Sequence, residues 1–263
     1  MRLSSEKIRH LGNELYQAWA TGQAIDPITD RESEISIEDA YQVQLDIIAR
    51  RVAAGERVVG KKIGVTSQAV MSMLKVDQPD FGHLLSGMAY NDGETISLKN
   101  TLIPRGEGEI AFVMKHDLTG PGLTNADVLR ATECVMPCFE LVDSRIRDWK
   151  IKIQDTVADN GSSFAFVMGD CAVDPKRLDL TTVGMTLEKN GELIGTGAGA
   201  ATLGNPVNAV TWLANTLGRF GITLKAGEVI LSGSLSIMFP VAAGDSIRMS
   251  LGKIGSCSAR FTA

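Results

Sequence analysis

From residue 58 onward the chain is broken into short apolar runs. "EIAFVM" (109–114), "CFELV" (138–142), "FAFVMG" (164–169), "EVILSG" (228–233) and "SCSARF" (256–261) are rich in β-branched, aromatic and aliphatic side chains, and glycine, aspartate or proline bounds them. Runs this short suit strands better than core helices. Asn190-Gly191, between "MTLEK" and "ELIGT", predicts a type I′ hairpin. The punctuation after residue 57 is that of a β-rich protein.

The first 57 residues differ in kind. Ile8, Leu11, Leu15 and Trp19 recur at spacings of three and four and predict a helix over 4–21. Ser36-Ile37-Glu38-Asp39 resembles a capping box, with Asp in place of Glu or Gln, and opens a second helix that Gly55 stops. "RVVGKKIGV" (57–65) then reads as a strand. Two further helices interrupt the strands: "NADVLRATE", opened by Thr124 or Asn125, and "PVNAVTWLANTLGRF", with Pro206 in its first turn. The expected class is α+β: a small helical N-terminal segment (1–57) and a β-rich domain (58–263) with a mixed core.

Charge and composition exclude several functions. A net charge of -5 gives no footprint for nucleic acid. The N-terminus carries charges where a secretion signal needs an apolar centre, and no run of about 18 apolar residues could span a membrane. The 4 cysteines form no C-x-x-C pair, which suits a reduced, cytoplasmic setting with thiols as small buried apolar groups. The 3 histidines lie scattered, without zinc-ligand spacing.

"RGEGEIAFV" (105–113) poses the chemical question. In a strand Glu107, Glu109, Ala111 and Val113 share one face, and Gly106, Gly108, Ile110 and Phe112 share the other. From residue 110 both faces are apolar, so Glu109 sits at or inside the rim of a core. The glycines leave the opposite face bare, open to close approach by another backbone or a ligand. Two carboxylates at this spacing lie about 7 Å apart and repel by roughly 2 kcal/mol at an effective dielectric of about 20. "CFELVD" places a third acid, Glu140, between Phe139 and Leu141. Three acids in apolar strands suit a hard divalent cation, Mg2+ or Mn2+. The competing reading makes Glu107 and Glu109 the wet face of an edge strand and pairs Glu140 with an arginine.

Other candidates divide less cleanly. Lys61 and Lys62 fall on opposite faces of their strand, and the residues alone do not say which points inward. Asp80, after Pro79, reads by itself as a turn residue. Gly195 to Ala200 matches a loose G-x-G-x-x-A pattern, but no acid follows about 20 residues on, so it reads as a tight loop before a helix. Arg145, Arg147, Lys150 and Lys152 read as a solvated or inter-subunit edge, with a substrate-carboxylate role for one arginine as the alternative.

The segments "GKKIGVTS" (60–67), "QPDFG" (78–82), "PRGEGEIAF" (104–112), "PCFELVDSRI" (137–146), "DTVADN" (155–160) and "GAGAATLGNPVNAVTWLAN" (197–215) occur in this order over nearly the whole chain. Together they resemble the hydratase/decarboxylase branch of the fumarylacetoacetate hydrolase superfamily. The resemblance implies a mixed β-roll and metal ligation by Glu107, Glu109 and Glu140. It also implies Lys62 as the site lysine, Asp80 as acid/base, and Asn160 and Ser162 orienting substrate. It implies hydration of 2-hydroxypenta-2,4-dienoate in meta-cleavage degradation of aromatic compounds, in a homo-oligomeric ring, with association with a related decarboxylase as a further option. The alternatives are decarboxylation of 2-oxo-3-hexenedioate, C–C hydrolysis of an acylpyruvate, or an idle structural homologue. Related decarboxylases tend to be apolar at position 80. Gly106 departs from the larger residue usual there, which raises the question of a loosened strand; "DNGSS" departs from "DNAS" followed by cysteine.

Overall fold

A computed structural model describes residues 3–67, 71–72 and 76–263. Helix α1 (Ser5–Thr21) starts where the Ser4 side chain accepts from the Lys7 amide and ends at Gly22 in the left-handed region. A one-turn helix α2 (Ile28–Arg31) leads to α3 (Ile37–Ala53), capped by the Ser36 hydroxyl on the Asp39 amide. Helices α1 and α3 pack on each other, and α3 packs on the short helix Ile153–Ala158, which the sequence reading had not anticipated. Leu11, Leu15 and Tyr41 join one buried cluster with Ile63, Phe81 and Ile110 of the sheets.

The larger sheet has eight strands. These are β1 (Val58–Gly64), β2 (Asp80–Leu85), β3 (Ala89–Asn91), β5 (Arg105–Met114), β6 (Thr132–Val142), β7 (Ser163–Met168), β10 (Val229–Ser234) and β11 (Phe239–Pro240). Their order is β2-β1-β10-β5-β6-β7-β3, with β11 alongside β5. The smaller sheet contains β4 (Thr95–Ser97), β8 (Gly184–Lys189), β9 (Glu192–Ala198), β12 (Ser246–Leu251) and β13 (Gly255–Thr262), in the order β4-β13-β12-β8-β9. Parallel pairs (β1 with β10, β3 with β7, β13 with β4) stand among antiparallel ones, so the sheets are mixed. Asn190 and Gly191 both have positive φ between β8 and β9, as a type I′ hairpin requires. No helix among the described residues is long and apolar enough to cross a membrane.

Strand β5 lies between β10 and β6, in the middle of the larger sheet. This overturns the reading of Glu107 and Glu109 as the wet face of an edge. The bare back of the strand is filled by side chains rather than by a backbone or ligand. A Cβ on Gly108 would lie 2.6 Å from the Met185 sulfur, and one on Gly106 would lie 2.5 Å from the Phe239 ring. Gly106 is therefore where Phe239 packs, and the departure at that position is filled rather than loose. Two further readings need correction. Cys171 is exposed rather than a buried apolar thiol. Arg145 is buried rather than solvated: its Nε donates to Asp159 at 2.6 Å and its Nη atoms donate to the Asp143, Ser163 and Asp159 carbonyls. Arg147 and Lys150 do reach solvent.

Candidate active site

Strand pairing builds the acidic centre. Glu107 lies directly across from Glu140 on β6, and Glu109 lies two residues along on the same face. One carboxylate oxygen from each of the three can be chosen so that all lie within 4.8 Å of one another. Glu109 and Glu140 are fully buried (0% exposed), and Glu107 is half-buried. Glu109 Oε2 accepts from the Gly233 amide at 2.7 Å. Glu109 Oε1 and both oxygens of Glu140 have no hydrogen-bond partner.

Burial with few donors favours the protonated form of a carboxyl. Burial, reinforced by Glu140 and Glu107, pushes the Glu109 carboxyl well above its ordinary range. Burial lifts Glu140 to about 8 even with Lys62 pulling it down. Glu107 is raised too, by burial first. A divalent cation would displace those protons and supply the missing partner for each orphaned oxygen. A hard ion with oxygen ligands at about 2.0–2.6 Å needs donor atoms at this separation. The residues present therefore fit the metal.

Lys62 is the cation already in place. It is 2% exposed, with Nζ 3.4 Å from Glu140 Oε2 and 3.5 Å from Asp80 Oδ1. Burial opposes its charge, but Asp80, Glu140, Glu107 and Glu109 outweigh burial and hold its pKa above the usual lysine value. The strand register puts Gly64 opposite Asp80. A Cβ on Gly64 would fall 2.3 Å from Asp80 Oδ1 and 2.7 Å from Lys62 Nζ, so glycine leaves the gap in which the two charges meet. Lys61 points to the other face and pairs with Glu228.

Asp80 is the first residue of β2 and is buried, which corrects its reading as a turn residue. Its Oδ2 accepts from Thr156 Oγ1 at 2.8 Å. Asn160 and Ser162 lie in a tight turn close by, and both have positive φ. The Asn160 carboxamide is spent on the backbone of His83, accepting from its amide at 2.7 Å and donating to its carbonyl at 2.9 Å. The Ser162 hydroxyl bonds Asp159. The structure thus brings Lys62, Asp80, Glu107, Glu109 and Glu140 into one cluster. It adds Thr156, Gln44 and the Gly233 amide, which the sequence reading missed. Gln44 had a signal: it is a polar residue in the buried stripe of α3, between Ala40 and Ile47.

The Fumarylacetoacetate (FAA) hydrolase C-terminal family profile matches residues 58–262, and the chain belongs to this family. The relatives narrow the likeness. A 2-hydroxypent-2,4-dienoate hydratase from Pseudomonas putida is 64% identical over 216 residues, covering 82% of this chain and 97% of that protein. A 2-hydroxyhexa-2,4-dienoate hydratase from Comamonas testosteroni is 56% identical over 253 residues, covering 95% and 96%. Among solved structures, a 4-oxalocrotonate decarboxylase from Pseudomonas putida G7, complexed with magnesium and adipate, superposes with a TM-score of 0.96 at 37% identity, covering 99% of this chain and 100% of that one.

Proposed function

We propose that this enzyme adds water to 2-hydroxypenta-2,4-dienoate and releases 4-hydroxy-2-oxopentanoate. The chain is a hydro-lyase of the fumarylacetoacetate hydrolase family; relatives at 64% and 56% identity are named as hydratases of five- and six-carbon dienoates. The observation that carries the mechanism is the placing of Lys62 between a carboxylate of the acidic centre, Glu140, and one outside it, Asp80.

Glu107, Glu109 and Glu140 would hold the divalent ion, Mg2+ or Mn2+, which when bound supplies Lewis-acid stabilisation of charge on the substrate's carboxylate and 2-oxygen. Lys62 holds a positive charge beside that centre and stabilises the enolate oxygen. Asp80 moves the protons. Delivery of one to C5 while the 2-hydroxyl proton leaves gives the 2-oxo-3-enoate. Water oriented by Asp80 then adds at C4, and a proton returns to C3. Asn160 and Ser162 orient the substrate through the turn they share, their side chains being engaged elsewhere.

A carboxylate at position 80 favours hydration over the decarboxylation named for the magnesium-bound structural relative. Purified protein with Mg2+ and freshly made 2-hydroxypenta-2,4-dienoate should yield 4-hydroxy-2-oxopentanoate. Faster release of carbon dioxide from 2-oxo-3-hexenedioate would reverse the assignment. In the same reading the chain divides into a helical segment (1–57) and a catalytic domain (58–263). It works in the cytoplasm, in the meta-cleavage degradation of aromatic compounds, as a homo-oligomeric ring open to association with a related decarboxylase. Light scattering reporting a monomer at micromolar concentration would exclude the ring.

A further inference from the structure

Helical threonines usually turn their hydroxyl back onto their own helix. Thr21 and Thr211 do so here, each donating to the carbonyl four residues earlier. Thr156 does not. It is buried on the helix Ile153–Ala158, and its Oγ1 donates to Asp80 Oδ2, 76 residues away, at 2.8 Å. The other oxygen, Oδ1, is the one that faces Lys62 and the gap at Gly64. The two carboxylate oxygens are thus distinguished: one accepts a fixed hydrogen bond, and the other faces the cluster.

A second observation ties down the elements that carry this pair. The Gln44 carboxamide nitrogen donates to the carbonyl of Phe81 at 2.9 Å and to that of Val157 at 2.6 Å. These are the residues immediately after Asp80 and Thr156. With both amide hydrogens spent, Gln44 Oε1 is the acceptor for His83 Nδ1, 2.9 Å away, which fixes the carboxamide orientation. One side chain of α3 therefore clamps β2 to the helix at the point where Asp80 meets Thr156.

We propose that Thr156 is the positioning residue for Asp80: it holds Oδ2 as an acceptor and leaves Oδ1 as the oxygen that exchanges protons with substrate and water, while Gln44 fixes the spacing between them. The proposal rests on the reading of Asp80 as the acid/base. Because Thr156 acts through Asp80, its loss affects kcat rather than substrate or metal binding.

The test compares Thr156→Val, Thr156→Ser, Asp80→Asn and the Thr156→Val/Asp80→Asn double variant. The measurements are kcat, KM, Mg2+ affinity and Tm in the full-length protein. Thr156→Val should lower kcat roughly 10- to 100-fold, the worth of a hydrogen bond to a charged group, with KM and Mg2+ affinity nearly unchanged. Thr156→Ser keeps the hydroxyl and should restore kcat. In the Asp80→Asn background Thr156→Val should add almost nothing. A near-normal Thr156→Val beside an impaired Asp80→Asn would overturn the proposal and leave the acid/base reading intact. So would a Thr156→Val effect that persists in full without Asp80. A near-normal Asp80→Asn would instead remove the acid/base reading itself. Should Thr156→Val fail to fold, Thr156→Ala takes its place: a kcat lowered to the same extent and restored in Thr156→Ser supports the proposal, and a near-normal kcat overturns it.

Discussion

Lys61 and Lys62 are covalent neighbours on β1, and both ammonium groups are buried. Lys61 meets a single acid, Glu228, with both carboxylate oxygens at 2.6 Å from Nζ. Lys62 lies among four acids and touches none of them closely; its nearest carboxylate oxygens are 3.4 and 3.5 Å away. The pKa values move apart accordingly. Burial lowers that of Lys61 despite Glu228, whereas the surplus of acids raises that of Lys62 despite burial. The first pair is electrically closed. The second cluster has more carboxyl groups than one lysine can neutralise, and three of its oxygens accept no hydrogen bond. Several buried carboxyls around one lysine, with oxygens that accept no hydrogen bond, mark a candidate cation site, as distinct from an ion pair that holds strands together.

The sharpest way to break this contrast is to treat the open side as a closed one. Exhaustive chelation should abolish hydration, and Glu109→Gln should weaken Mg2+ binding strongly, measured by titration calorimetry. Full turnover by metal-free protein would refute the ligand assignment. Next in size, Asp80→Asn should lower kcat by roughly 10²–10⁴-fold with little change in metal affinity, the usual worth of a general acid/base.

The closed side should answer in stability instead. Lys61→Met strands Glu228 and should cost about 3–5 kcal/mol, whereas Lys61→Met with Glu228→Leu should recover most of it. Urea unfolding and the specific activity of the folded fraction check both halves: a Lys61 variant that stays stable but loses turnover would erase the distinction. The smallest effect concerns His83, opposite Lys61 in the strand register, whose pKa burial and Lys61 push down to about 3. Below about pH 6.5 the unfolded chain takes a proton that the folded imidazole refuses until about pH 3. The stability that His83 contributes is therefore complete at neutral pH and drains away on acidification through that window. The difference between wild type and His83→Gln should fall by up to about 1.4 kcal/mol per pH unit below about 6.5. A constant difference would mean that His83 already carries charge in the folded state.

Local grammar made much of the fold readable. Ser36 caps α3, Asn190-Gly191 turns β8 into β9, and Pro206 opens its helix, because each effect acts within four residues. The period of two in "GEGEIAF" likewise put Glu107 and Glu109 on one face. The back of the strand was misjudged because what meets Gly108 is Met185, brought there by a different sheet. Arg145 read as surface because its neighbours in sequence are charged, yet Asp159 and three carbonyls enclose it. Lys61 and Lys62 were equivalent by pattern, and long-range pairing with Glu228 and Glu140 is what separates them. Thr156 and Gln44 were invisible for the same reason: their partners are set by tertiary contact, not by spacing.

The amide that holds Glu109 belongs to Gly233, 124 residues downstream, and the hydroxyl that holds Asp80 lies 76 residues downstream. No contiguous fragment much shorter than the sheet contains the whole cluster, and contacts of such separation carry a loop-closure cost that must be met before they form. Newly made chain can gather the three carboxylates once β5 and β6 pair, but it has no anchored Glu109 until β10 arrives. With the proposed ligand set, protection of Mg2+ from a competing chelator during refolding should lag the burial of aromatic side chains and coincide with the return of turnover.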